Sequence, residues 1–147
     1  MTTTFLRSTV AALACVAALA FATPSMAAMV NFKAELKASN EVPPNDSKGT
    51  GSLTATYDDA SKKLTWKGSY SGLTGPVTGA HFHGGNPPSP PAANAAVAVP
   101  APAPASPFEG SSTLTNEQAA ELLAGKWYFN IHTAANKGGE IRGQLTK

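Results

Sequence analysis

The amino-acid sequence predicts an all-β domain, a Greek-key β-sandwich or barrel of about seven or eight strands with one short helix near residues 116–124. Most of the chain after residue 27 alternates apolar and polar residues with the period of two that is typical of a half-buried strand. Clusters of Gly, Pro, Asn and Asp separate these runs at short intervals. The 147 residues, 42% of them hydrophobic and 14% charged, suffice for one ordinary domain.

The first 27 residues are predicted to be an export signal rather than part of the domain. Arg7 is the single charge ahead of an apolar run of about a dozen residues, and residues 25–27 form a small-x-small cleavage site. The run is shorter than the roughly 20 residues that span a bilayer, so an uncleaved anchor is the less favoured alternative. Cleavage near Ala27 would leave residues 28–147 as one periplasmic or secreted domain without a transmembrane segment.

The composition argues against several kinds of partner and site. Eleven Lys and Arg residues balance nine Asp and Glu residues without clustering, which argues against electrostatic binding of nucleic acid. The single cysteine, Cys15, lies in the predicted signal, so the exported chain would have neither a disulfide nor a thiolate zinc site. A faint likeness of residues 13–15 to a lipoprotein cleavage site carries little weight, because the apolar run continues past Cys15.

The strands are predicted from alternation, and turn residues bound them. Two prolines at 43 and 44 end the first run, because each removes a ladder donor. Residues 58–62 have turn chemistry, so the runs on either side should pair as a hairpin. The predicted strands cover residues 30–38, 51–57, 64–70, 77–85, 111–115, 126–133 and 140–145.

A long surface loop is predicted at residues 85–107. Eight of the twelve prolines lie there, which favours polyproline II structure, with a brief strand expected at 95–99. Loops this long in a compact domain are usually functional or mobile, so a protein partner could bind here. The helix at 116–124 is predicted because Thr115 and Gln118 have capping-box spacing and Gly125 suits the helix end.

The histidines His81, His83 and His132 are the residues that suggest chemistry. Period two places His81 and His83 on one face of a strand, with Cα atoms roughly 6.5–7 Å apart. If the strand of His132 lies nearby, three neutral nitrogens meet at one point, a set that suits copper first and zinc second. The alternative is that the histidines make structural hydrogen bonds and bind no metal. The sequence contains no nucleophile triad, and no catalytic residue is assigned.

Three charged residues are candidates for supporting such a site from outside the ligand set. Arg142 is the one arginine after residue 27, and Glu41 or Glu140 could pair with it. The favoured interpretation is a structural ion pair at the sheet edge. In the alternative interpretation, Glu140 accepts a hydrogen bond from a metal-bound histidine and so orients the imidazole ring.

Several motifs taken together resemble the CHRD domain, named after chordin, over nearly all of the chain after the predicted signal. The resemblance implies a β-rich domain of the kind found in secreted bacterial proteins. It implies a fold rather than a particular activity. The segments that carry it are Phe32-x-Ala34-x-Leu36, Asn40-Glu41-Val42-Pro43-Pro44, Gly49-Thr50-Gly51, Tyr70-Ser71-Gly72-Leu73-Thr74-Gly75-Pro76-Val77-Thr78-Gly79-Ala80-His81-Phe82-His83-Gly84, Leu114-Thr115-x-x-Gln118, Leu122-Leu123-Ala124-Gly125, Trp127-Tyr128-x-Asn130-Ile131-His132-Thr133 and Gly138-Gly139-Glu140-Ile141-Arg142-Gly143-Gln144-Leu145.

The His81-Phe82-His83 segment is also similar to the copper-binding strand of copper/zinc superoxide dismutases. The chain lacks a fourth histidine, a bridging histidine and a disulfide, so this likeness implies copper binding rather than dismutase activity. Two functions therefore compete: an exported CHRD-domain protein that binds copper through three histidines, and a non-catalytic extracytoplasmic binding or structural module without metal. Dismutase-like activity is the one enzymatic option, and the physiological partner is not identified.

Overall fold

The computed structural model describes residues 28–85, 94–101 and 105–147. The predicted signal at 1–27 and much of the predicted proline-rich loop lie outside these ranges. Within them, the chain forms eight strands, one α-helix (α1) and one short 3-10 turn. The elements are β1 Met29–Lys37, the turn Ala38–Asn40, β2 Thr50–Asp58, β3 Lys63–Ser71, β4 Val77–Gly84, β5 Ala96–Ala101, β6 Phe108–Thr113, α1 Asn116–Leu123, β7 Tyr128–Thr133 and β8 Ile141–Gln144.

The eight strands form one antiparallel sheet in the order β5-β4-β7-β8-β1-β2-β3-β6. The sheet curls into a nearly closed barrel, so side chains of strands far apart in this order meet inside it. Trp66 of β3 packs edge-on against Phe82 of β4 with ring centroids 4.9 Å apart, and Phe108 of β6 stacks on Phe129 of β7 at 5.8 Å. The predicted all-β class with one short helix is confirmed.

Period-two alternation produces the core. In β1, the side chains of Phe32, Ala34 and Leu36 are buried while their neighbours face solvent. The hairpin expected around residues 58–62 is present, with Asp58 opposite Lys63. Burial of each large apolar side chain of this kind stabilises the fold by about 1.5–3 kcal/mol.

Helix α1 begins at the predicted residue and ends at Leu123, one residue before the predicted end. The Thr115 hydroxyl accepts a hydrogen bond from the Gln118 amide, and the Gln118 side chain accepts one from the Thr115 amide. Gly125 follows the helix with a φ of 74°, a conformation that glycine adopts without strain. The Gln118 amide nitrogen also donates to the carbonyl of Ala98 at 2.9 Å, which ties the helix to β5.

Several strand ends differ from the predicted ones. Strand β6 begins at Phe108 rather than 111, since Phe108 is buried and lies opposite Gly68. Strand β5 extends through Pro100, which an edge strand tolerates because a neighbour is missing on one side. Glu140 lies just before β8 rather than within it, and its side chain makes contacts of its own.

Residues 38–47, here called the covering segment, lie over the outer face of β7 and β8. The side-chain amide of Asn40 donates to the carbonyl of Arg142 at 3.0 Å, and that of Asn45 donates to the carbonyl of Glu140 at 3.0 Å. Tyr128 and Asn130 are buried although they face away from the barrel interior. Both side chains contact His83. In the described part of the chain, no helix is both long and apolar enough to cross a membrane.

Candidate metal centre

The side chains of His81, His83 and His132 meet on the outer face of β4 and β7. One potential ligand nitrogen from each ring lies within 4.8 Å of the others. Ring centroids are 4.9 Å apart for His81 and His132, 5.6 Å for His81 and His83, and 6.3 Å for His83 and His132. The convergence expected from the sequence is present, and all three rings lie on the same side of the sheet.

The register between β4 and β7 brings the rings together. His132 lies opposite Gly79, while His81 lies opposite Asn130. A Cβ atom on Gly79 would lie 3.3 Å from Cε1 of His81, closer than an ordinary van der Waals contact. The missing side chain at position 79 therefore leaves room for the ring of His81 to lie beside that of His132.

Backbone carbonyls orient two of the three rings. Nδ1 of His83 lies 2.8 Å from the carbonyl oxygen of Ala95, and Nδ1 of His132 lies 2.9 Å from that of Lys137. A carbonyl oxygen only accepts, so Nδ1 carries the hydrogen in both rings and Nε2 is the nitrogen that a metal would take. Metal-binding histidines in proteins commonly show this arrangement.

Two ring nitrogens of the cluster are buried without a hydrogen-bond partner among the described residues: Nδ1 of His81 and Nε2 of His132. Leaving a buried polar atom unpaired costs about 1–3 kcal/mol. A metal ion bound through these two nitrogens would satisfy both atoms.

The ring of His83 has contacts on both nitrogens and on one face. Nε2 of His83 lies 3.0 Å from Oδ1 of the buried Asn130. The ring also stacks on Tyr128, with centroids 4.7 Å apart and planes within 5° of parallel. The guanidinium carbon of Arg142 lies 4.0 Å from the centroid of the same tyrosine ring. These contacts hold the imidazole of His83 in one orientation.

The electrostatic environment favours neutral rings at two positions. Burial lowers the pKa of His81, and the neighbouring His132 and His83 lower it further. Burial also lowers the pKa of His83, outweighing the hydrogen bonds to Ala95 and Asn130 that raise it. Only a neutral imidazole has a lone pair for a metal, so both shifts favour metal binding near neutral pH.

Arg142 pairs with Glu41 of the covering segment, one of the two carboxylates expected from the sequence. Its Nη2 lies 2.9 Å from Oε2 of Glu41, with the two side chains 1% and 2% exposed. Nη2 also donates to the amide oxygen of Asn94. Burial raises the pKa of Glu41, although Arg142 and Asn130 act to lower it. The pair is buried, whereas a weak pair at the sheet edge was the favoured expectation.

Glu140 accepts hydrogen bonds from hydroxyl and amide groups rather than from a histidine. Its carboxylate accepts hydrogen bonds from Ser47 Oγ at 2.6 Å and from Thr133 Oγ1 at 2.5 Å. It also accepts from the backbone amide and the hydroxyl of Thr74, at 2.7 and 2.9 Å. Burial alone would raise the pKa of Glu140, but these bonds outweigh it and lower the pKa to about 2. Glu140 thus ties the covering segment and the loop before β4 to the end of β7.

Sequence reasoning did not single out Ala95, Lys137 or Asn130 as parts of the site. Ala95 and Lys137 act through their carbonyl groups, which every residue has, so no sequence signal marks them. Asn130 gave one usable signal, its place two residues before His132 on the same face of the strand.

Comparison with known proteins places this fold and site in a family. The family model for the CHRD domain matches residues 32–145, a span that includes all three histidines, Glu41, Glu140 and Arg142. No curated protein and no solved structure matches the chain. The likeness to superoxide dismutases therefore rests on the two histidines of β4 alone. Since the matched span runs from the first strand of the barrel to the residue after the last, the chain belongs to the CHRD-domain family.

Proposed function

We propose that this CHRD-domain protein is exported and binds one metal ion, copper in preference to zinc, through His81, His83 and His132. The observation that carries the proposal is that one nitrogen from each of three imidazole rings lies within 4.8 Å of the others, with two buried nitrogens that have no hydrogen-bond partner in the described part of the chain.

Copper is favoured by the donor set. The cluster offers imidazole nitrogens only, and such sites bind divalent metals in the order that places copper above zinc. The hard cations calcium and magnesium prefer oxygen ligands. Three protein ligands leave a further coordination position for water or an external ligand, and His81 is partly exposed to solvent.

Export is proposed from residues 1–27, which lie outside the described structure. Their apolar run and small-x-small cleavage site are typical of a secretory signal. A periplasmic or extracellular location fits a copper site built without cysteine, because no thiol would be present to be oxidised there.

A metal titration of residues 28–147 tests the proposal. We expect one Cu(II) per chain, bound tighter than roughly micromolar and tighter than Zn(II), with binding abolished by His81→Ala or His132→Ala. The matched control is Lys137→Ala, which changes an exposed side chain near the site and keeps the carbonyl that holds His132. Binding that survives both histidine substitutions would contradict the proposal.

The second candidate is a non-catalytic extracytoplasmic module that binds no metal. One observation favours it: both ring nitrogens of His83 already face hydrogen-bond partners, as in a structural histidine. In that case the metal titration would show no stoichiometric binding. If copper binds, a superoxide assay on the loaded protein would distinguish a carrier from an enzyme.

A further inference from the structure

The three histidines of the cluster are not equivalent. Nδ1 of His81 and Nε2 of His132 have no hydrogen-bond partner among the described residues, whereas Nε2 of His83 lies 3.0 Å from Oδ1 of Asn130. Because the ring hydrogen of His83 is on Nδ1, the lone pair that a metal would take is on Nε2, and the amide of Asn130 lies against it. Two rings are therefore ready to bind an ion, and the third is occupied by an amide.

The Asn130 side chain is held beside His83 by burial. It is 1% exposed, and its Nδ2 and Oε1 of Glu41 both lie within 3 Å of the position that a Cβ on Gly139 would take. Glu41 is in turn paired with Arg142. The amide therefore has little room to move away from the nitrogen that a metal would need.

The ring of His83 cannot easily present its other nitrogen. Nδ1 is bonded to the carbonyl of Ala95, and the ring is stacked on Tyr128. Rotation of the ring would break both contacts. The remaining route to a third ligand is displacement of the Asn130 amide from Nε2.

We infer, on the basis of the proposed metal site, that Asn130 is a positioning residue that competes with the metal for Nε2 of His83. An ion is held first by His81 and His132, and His83 joins only when the ion displaces the amide. The competition weakens binding, which suits a protein that takes up and releases its metal.

Affinities of single and double variants test this role. We expect Asn130→Ala to bind Cu(II) about threefold to tenfold more tightly than the unmodified protein, the range that loss of one competing hydrogen bond allows. The gain should vanish when His83→Ala is also present, because it acts through that ring. Asn45→Ala is the matched control, since it removes another part-buried amide, whose hydrogen bonds go to Ser47, Gly139 and Glu140.

A spectroscopic measurement distinguishes this role from a purely structural one. In electron paramagnetic resonance spectra taken with less than one equivalent of Cu(II), Asn130→Ala should show a larger fraction of three-nitrogen sites than the unmodified protein. Loss of stability alone would not add a nitrogen ligand. If Asn130→Ala does not fold, the nearly isosteric Asn130→Leu removes the same amide and is measured instead.

Two results would overturn the inference: unchanged or weaker Cu(II) binding by both Asn130 variants, or a gain that persists without His83. Failure of the metal site itself is distinguishable from these. In that case neither the unmodified protein nor any Asn130 variant binds Cu(II) stoichiometrically, and both proposals fall.

Discussion

Glu41 and Arg142, 101 positions apart in the sequence, form a buried ion pair that fastens the covering segment to β8. Both Nε and Nη2 of Arg142 lie 2.9 Å from Oε2 of Glu41. The carboxylate lies near the amide of Asn130, which contacts His83, so the pair lies next to the histidine cluster.

Neutralising Glu41 should destabilise the protein strongly. Glu41→Gln leaves the Arg142 guanidinium buried without a countercharge, a change that costs about 3–5 kcal/mol. Urea denaturation at neutral pH measures the free energy of unfolding. The control is Asp46→Ala, which removes an exposed carboxylate from the same covering segment and should cost little. Equal effects of the two substitutions would contradict a structural role for the buried pair.

Glu140 should make the fold sensitive to acid. The pKa of Glu140 is lowered from 4.5 to about 2 in the folded protein, so its carboxylate stabilises the fold above pH 4.5. That contribution, about 3 kcal/mol, is lost as the pH falls from 4.5 towards 2, because the unfolded chain takes up the proton first.

Comparison with Glu140→Gln isolates this contribution from that of other carboxylates. The difference in unfolding free energy between the two proteins should be largest at pH 6–7 and should shrink steadily below pH 4.5. A difference that stays constant between pH 6 and pH 3 would show that Glu140 is not the group responsible.

Filling the space beside His81 should weaken metal binding. In Gly79→Ala the new Cβ lies 3.3 Å from Cε1 and 3.5 Å from Nε2 of His81, so the ring must shift. We expect roughly tenfold weaker Cu(II) binding, the lower end of the range for changes around metal ligands. Gly138→Ala is the matched control, since a Cβ there meets nothing within 4 Å and should leave the affinity unchanged.

The barrel was largely predictable from the sequence, because alternation and turn chemistry are local. The hairpin around residues 58–62 and the capping box at Thr115 needed only neighbouring residues. The start of β6 was missed because Phe108 pairs with Gly68, a contact that no local pattern contains. Glu140 lies outside β8, where its carboxylate accepts hydrogen bonds from the hydroxyl of nearby Thr133 and from hydroxyl groups of two distant segments.

The candidate site was predictable only in part, for the same reason. The spacing of His81 and His83 places both rings on one face, and this follows from strand geometry alone. The proximity of His132 depends on the register that sets it opposite Gly79, which is a long-range property. The burial of Asn130 arises from the covering segment, and a single strand gives no sign of a second layer above it.

Removal of the helix cap should lower stability without changing the metal site. Thr115→Ala loses the hydroxyl that accepts from the Gln118 amide, at a cost of about 1 kcal/mol. Thermal unfolding measures the loss, with Asn116→Ala at the exposed first residue of α1 as the control. Cu(II) affinity should be unchanged, since the cluster lies on β4 and β7. An affinity that falls with the cap would show that binding follows general stability.

Metal binding should stabilise the fold to an extent set by concentration. Free Cu(II) at 100 times its dissociation constant adds about 2.7 kcal/mol to the free energy of unfolding when it binds the folded chain alone. We expect this increase in the unmodified protein and its reversal by a chelator. His132→Ala should show neither effect, because it removes a buried nitrogen that has no other partner among the described residues. A stabilisation that His132→Ala retains would place the copper elsewhere on the molecule and contradict the three-histidine site.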